Sequence, residues 1–257
     1  MHPGWYVPIG FLVGTYGTVI GAGGGFILVP LLIFLFPQDG PSMVTAASLA
    51  IIFVNATSGT IAYAVQRRII YRTGAFFAAA TIPGALLGSY LTRFIPKQVF
   101  GIVFGCLLVT AAVVLGVMRS AHRSAPGADQ APRLRTPQLL LGMGLSLLIG
   151  VFSSLVGIGG GLIHVPVLTS IFGFPLHFAT ATSHFVLVFT ALAGVVGHIL
   201  DHTWPTHLLR DALLAAGVVA GAQLGAFLSR KIAAAWIVIG LAAALAVVGV
   251  RLILTTL

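Results

Sequence analysis

The sequence predicts an all-α polytopic membrane protein built from two homologous halves. Three observations carry that prediction: an almost uncharged composition, eight long apolar runs, and an internal repeat that recurs block by block. Of the 257 residues, 58% are hydrophobic and 7% charged, against about 25% charged in an average soluble domain. The acids are Asp39, Asp129, Asp201 and Asp211, with no glutamate. So little charge cannot cover a water-facing surface, and most of this one must face lipid. The net charge of +9 and pI near 10.9 do not indicate nucleic acid, because the bases sit in short segments between apolar runs, as cytoplasmic loops of membrane proteins do. The single cysteine, Cys106, excludes an intrachain disulfide, a CxxC pair and a thiolate zinc cluster. The start, Met1-His2-Pro3-Gly4, lacks the basic region of a secretory signal and reads as mature protein.

On a ruler of about 20 apolar residues per span, the runs fall at about 5–36, 42–65, 73–92, 98–118, 138–172, 176–200, 207–228 and 232–256. The expected organisation is a first transmembrane repeat over 1–118, a cytoplasmic linker over 119–137 and a second repeat over 138–257. The linker holds Arg119, Arg123, Arg133 and Arg135 with Pro126, Pro132 and Pro137, a flexible solvated composition. Positive charge places both it and the 66–72 loop in the cytoplasm.

The halves match in three blocks. Gly21-Ala-Gly-Gly-Gly-Phe-Ile-Leu-Val-Pro30 pairs with Gly157-Ile-Gly-Gly-Gly-Leu-Ile-His-Val-Pro166, Thr45-Ala-Ala-Ser48 with Thr180-Ala-Thr-Ser183, and Gly84–Leu91 with Gly221–Leu228. Such duplication is the plan of many secondary transporters. Runs 5–36 and 138–172 are too long for one span and too short for two. Each carries GxGGG in its interior, where glycines break a helix and permit positive φ, so a second short helix is expected to start near Phe26 and near Leu162. If that piece continues across the membrane there are eight parallel-ordered spans; if it folds back, the halves are inverted. Inversion is a common carrier plan and, by that analogy, is the expectation here, with about eight hydrophobic segments, or ten helices if each broken one counts twice.

Glycine turns that open a helix present backbone N–H groups and the positive end of the helix dipole. The first candidate binding residues are therefore Gly23, Gly24, Gly25, Gly159, Gly160 and Gly161; close helix packing is the alternative use of such glycines. Polar side chains at membrane depth tend to face a bundle interior or a cavity, which adds Ser48, Asn55, Thr182 and Ser183, with the matched Thr45 and Thr180 behind them. Many buried serines and threonines instead bond their own i−4 carbonyl. His164, His184 and His198 stand where the first half has Leu28, Leu49 and Tyr63, and are candidates for a proton relay. His198-Ile-Leu-Asp-His202 resembles an inverted zinc-hydrolase pattern with Asp for Glu; a helix-end cluster is the preferred reading, and a metal enzyme using His198, Asp201 and His202 is the alternative from another class.

In these motifs the sequence resembles the TauE/SafE family of sulfite exporters, within the 4-toluene sulfonate uptake permease superfamily. The residues that carry the resemblance are both GxGGG…Pro segments, Ala181-Thr-Ser183 and the Gly84–Leu91 block with its repeat. The resemblance implies an integral transporter in a bacterial-type inner membrane, an exporter of a small sulfur-containing anion such as sulfite or an organosulfonate. Alternating access would expose a midplane site between the repeats. It also implies that Gly23–Gly25, Gly159–Gly161, Ser48 and Ser183 line that site, although Ala47 stands where the second half has Thr182. No enzymatic step and no cofactor is expected, beyond coupling to a proton or sodium gradient. The expected partners are the anion and the bilayer, with a homo-oligomer left open and nucleic acid excluded. An anion channel is the other transport reading.

Overall fold

A computed structural model describes residues 3–121, 134–203, 207–229, 246–247 and 249–254. The middle of the expected linker, with Arg123 and Arg133, and most of the last apolar run, 232–256, lie outside the described residues, as do Arg230 and Lys231. The described secondary structure is helical: α1 (Tyr6–Ile20), α2 (Gly25–Leu35), α3 (Pro41–Val65), α4 (Tyr71–Thr92), α5 (Lys97–Ala121), α6 (Thr136–Val156), α7 (Gly161–Pro166), α8 (Leu176–Leu200) and α9 (Leu208–Leu228). Residues 249–254 are helical as well. Five of these helices, α3, α4, α6, α8 and α9, are long and apolar enough to cross a membrane, and the protein is an integral membrane protein.

Local chemistry sets the breaks. α1 ends on Gly21 at φ +83° and α6 on Gly157 at φ +79°, the left-handed caps that glycine takes without a Cβ penalty. α3 opens with Pro41 in its first turn, where the missing N–H is no loss. The backbone N–H of Arg135 is accepted by the Gln138 side chain at 2.9 Å, ahead of α6. α7 reaches Pro166 and passes into a π turn over Val167–Ile171, an adjustment that accommodates the ring where it disrupts regular hydrogen bonding.

Polar contacts at the helix ends trace the chain through the bundle. At one face Asp39 pairs with Arg210 at 3.0 Å, Arg93 with Asp201 at 2.9 Å, and the Lys97 ammonium donates to the Pro37 carbonyl. At the other, Gln66 donates to the Ala226 carbonyl at 3.2 Å, and Arg68 to Ser229 at 2.9 Å and to the His177 carbonyl at 3.2 Å. Hence α3 and α9 run from the Asp39 face to the Gln66 face, and α4 and α8 run back. α1 lies parallel to α9, with Gly10 against Leu214, Gly14 against Val218 and Thr18 against Gly225. α2 then returns to the Asp39 face, where Phe36 stacks under the Arg210 guanidinium at 4.4 Å. α6 lies parallel to α4, with Leu147 against Gly84 and Val151 against Gly88. The segment after it comes back to the Gln66 face, where Phe172 meets Phe77 at 5.8 Å. Each glycine-broken segment therefore enters and leaves the bundle by one face, and the two enter from opposite faces.

The halves are interlocked. α1 packs on α9 of the second half and α6 packs on α4 of the first. A methyl added at Gly84 or Gly88 would overlap the carbonyl oxygen of Leu147 or Val151, and one at Gly221 or Gly225 that of Phe11 or Thr15. These are backbone contacts that only glycine permits, the small-residue packing common between membrane helices.

Candidate functional site

The two GxGGG segments form matching turns. Gly21, Gly23 and Gly24 have φ of +83°, +74° and +83°; Gly157, Gly159 and Gly160 have +79°, +77° and +88°. No other residue type holds three such angles cheaply. The turns meet in the interior: a Cβ on Gly25 would run into the Ile158 backbone, and one on Gly161 into Gly21 and Ala22. Gly23 and Gly159 both abut the same two side chains, Ile52 from α3 and Leu187 from α8, which are each other's counterparts in the repeat. Both are fully buried, so an apolar pair closes the centre of the junction.

Backbone donors divide sharply in the first turn. The N–H of Gly21 bonds the Thr18 carbonyl, and those of Ala22 and Gly23 bond that of Gly17. The amides that open α2, from Gly24, Gly25 and Phe26, are the first-turn donors that a helix leaves without intrahelical acceptors. In the second turn Gly157 and Ile158 donate to the Ser153 carbonyl, and Gly160 and Gly161 open the shorter α7.

The matched serines cross between the halves. Ser48 Oγ donates to the Gly157 carbonyl at 2.7 Å and Ser183 Oγ to the Gly21 carbonyl at 3.0 Å. Each of the matched serines is thus fixed on the glycine turn of the other repeat. Asn55 Nδ2 donates to the Gly23 carbonyl at 3.1 Å, while its Oδ1 lies 3.4 Å from the Thr18 hydroxyl. Thr182 points elsewhere: its hydroxyl accepts the Ile70 N–H at 3.1 Å, at the start of α4. Thr45, Thr57 and Thr190 do bond carbonyls one turn back.

The three histidines differ. His164 Nδ1 lies 3.1 Å from the Gly160 carbonyl and Nε2 3.2 Å from Ser146 Oγ. A carbonyl only accepts, so Nδ1 carries the hydrogen and Nε2 accepts from Ser146, which satisfies a neutral ring completely. Thr45 Oγ1 has its one hydrogen directed at the Pro41 and Ser42 carbonyls, so His198 Nε2–H donates to it at 3.1 Å, and Nδ1 is buried without a partner. His184 is fully buried and neither ring nitrogen has a hydrogen-bond partner. The zinc-like cluster is not assembled: Asp201 is held by Arg93, His198 faces Thr45, and among the described residues no group of three or more His, Cys, Asp or Glu is placed to hold a metal.

Thr18, Tyr63, Ile52 and Leu187 also belong to the junction, and none of them lies in a motif that marks it as a site residue. Tyr63 donates to the Thr18 carbonyl at 2.7 Å, and Thr18 in turn lies beside Asn55. The repeat offset that pairs Ser48 with Ser183 also pairs Ile52 with Leu187, and is the one mark they carry in the sequence. It says nothing, however, about two apolar side chains meeting.

Residues 6–252 match the family model described as "Sulfite exporter TauE/SafE". Among curated proteins, the chain is 29% identical to the probable membrane transporter protein YunE of Bacillus subtilis, over 96% of each chain. It is 25% identical to a probable membrane transporter protein of Methanocaldococcus jannaschii, over 96% of this chain and 93% of that one. A probable membrane transporter protein of Xylella fastidiosa is 29% identical over 88% of this chain and 84% of its own length. No solved structure matches.

Proposed function

The chain belongs to the sulfite exporter TauE/SafE family and is a membrane transporter, and from that premise we propose that it carries a small sulfur-containing anion, sulfite or an organosulfonate, by alternating access. The observation that supports this most directly is the junction of the two glycine turns. A small oxyanion can be held there by backbone N–H groups at the opening of α2 and by the dipole of that helix, flanked by Ser48, Ser183 and Asn55 and by the matching Gly159–Gly161 turn.

The opposed entry of the two broken segments supports an inverted pair of repeats, 1–118 and 138–257. The swapped serines support movement of one repeat against the other, because each serine reports the position of the opposite turn. A carrier fits better than a channel: Ile52 and Leu187 fill the junction, so a substrate reaches the turns only after the halves part. The direction proposed is export, driven by a proton or sodium gradient, with loops 66–72 and 119–137 cytoplasmic. His198, with one unpartnered nitrogen, is a better proton carrier than His164, whose ring is satisfied.

The test is transport of ³⁵S-sulfite or a labelled sulfonate by the full chain in liposomes, under imposed pH and sodium gradients. Gradient-dependent movement that saturates with substrate is expected. Failure to move any sulfur oxyanion under either gradient defeats the proposal.

A further inference from the structure

His184 lies on α8 next to Ser183, the serine fixed on the Gly21 carbonyl. Its ring packs edge-on to Tyr63 at 5.6 Å between centroids and presses on Gly59, where an added Cβ would meet ring atom Cδ2 at 2.7 Å and Nε2 at 3.0 Å. The Gly21 backbone lies next to the ring, but neither ring nitrogen has a partner in hydrogen-bonding geometry. The imidazole therefore lies fully buried and unpartnered beside the turn that leads into α2, an 11-residue helix.

The repeat supplies a control. The counterpart of His184 is Leu49, which packs on Gly194 with Ser154 beside it. The repeat counterparts of those neighbours, Gly59 and Thr18, stand around His184, with the Thr18 methyl in the place of the Ser154 hydroxyl. A leucine thus fills this niche in one half with no polar requirement. In the other half the niche holds an imidazole whose two nitrogens are desolvated without return, an arrangement that destabilises a folded state. The packing does not need a histidine there, so what it serves must be a state in which its nitrogens have a partner.

We infer that His184 is a substrate-contacting residue: its ring N–H donates to an oxyanion seated at the opening of α2, on the amides of Gly24, Gly25 and Phe26. The ring is empty-handed in the closed arrangement, where Ile52 and Leu187 occupy the junction. The inference rests on the proposed anion site and deepens it by making that site asymmetric, with the side-chain donor contributed by the second repeat to the turn of the first. The ligand class is a tetrahedral or pyramidal oxyanion without an ammonium group, since the described surroundings of the ring hold no carboxylate to receive one.

The experiment measures equilibrium binding of ³⁵S-sulfite, ³⁵S-sulfate and labelled methanesulfonate to the purified full chain, together with its melting temperature. His184→Leu, which copies Leu49, is expected to melt at or above the wild-type temperature while binding weakens about tenfold or more, the scale of a hydrogen bond to an anion. His184→Gln, which restores an N–H donor, is expected to bind within about threefold of wild type. Unchanged affinity in His184→Leu overturns the inference alone, as does a melting temperature that falls with affinity, or a glutamine variant as weak as the leucine. If the wild type binds none of the three anions, the proposed function fails and the inference falls with it.

Discussion

Ser48 of the first repeat donates its hydroxyl to the carbonyl of Gly157 in the second at 2.7 Å, and Ser183 returns the contact to Gly21 at 3.0 Å. All four residues lie in the buried centre of the bundle. These two bonds tie each glycine turn to the helix that follows the other, and they follow the approximate symmetry of the duplication.

Replacing either serine by alanine leaves a buried carbonyl without its donor. Ser48→Ala and Ser183→Ala are each expected to lower stability by about 1–3 kcal/mol, read as a drop in melting temperature of the detergent-solubilised protein. Because the sites mirror one another, the two losses should be similar; a neutral result at one site would mean that its hydroxyl is not bonded across the halves.

The structure separates glycines that look identical in sequence. A Cβ on Gly24 would press on the Val13 carbonyl at 2.8 Å, backbone that cannot yield, whereas one on Gly160 would meet Ile149 Cγ2 and Ser153 Oγ at 3.1 Å, side-chain atoms that can shift. Both carry the left-handed strain of about 1–2 kcal/mol for a non-glycine residue. Gly160→Ala should therefore fold and lose stability by about that strain, while Gly24→Ala should lose clearly more. Comparing the two melting temperatures checks the order.

Leu187 is fully buried between both turns. Leu187→Ala is expected to destabilise by about 2–5 kcal/mol through the cavity left behind. In liposomes, the thinner barrier at the junction should also raise movement of the substrate in the absence of a gradient. Wild-type leak with full loss of stability would confine Leu187 to packing.

At the Asp39 face, Arg210 donates to Asp39 at 3.0 Å and to Asp211 at 2.8 Å, with the Arg210 and Asp39 side chains each 4% exposed. The pair joins the loop after α2 to the start of α9. Arg210→Met removes the guanidinium from both Asp39 and Asp211 and is expected to cost about 3–5 kcal/mol, whereas adding Asp39→Leu should recover only the share that belongs to Asp39, because Asp211 stays without that donor. A double-mutant cycle on melting temperatures measures the coupling, and additive losses would count against a direct pair.

The membrane class, the order of the apolar segments and the two glycine turns were legible in the sequence because each is a local property. Composition selects lipid as solvent, and four glycines in five residues do not continue a helix. The candidate site was half legible. Ser48, Ser183 and Asn55 stand out in the sequence as polar at depth, and in the structure they converge on the turns. Thr182 stands out on the same ground, yet its hydroxyl accepts the Ile70 N–H instead, because which way a helix turns its hydroxyls depends on its neighbours. The three histidines were indistinguishable by sequence and become distinct only through what lies within 3.2 Å of each ring.

The sequence by itself determined that two copies of one broken-helix unit lie in a bilayer, since hydropathy, glycine placement and repeat offset are written along the chain. Only the tertiary structure decided that each copy is completed by the other. α1 settles on α9 and α6 on α4 because glycine faces permit backbone contact with those partners. That choice between distant surfaces is made by shape and close approach, which leave no periodic mark on the chain.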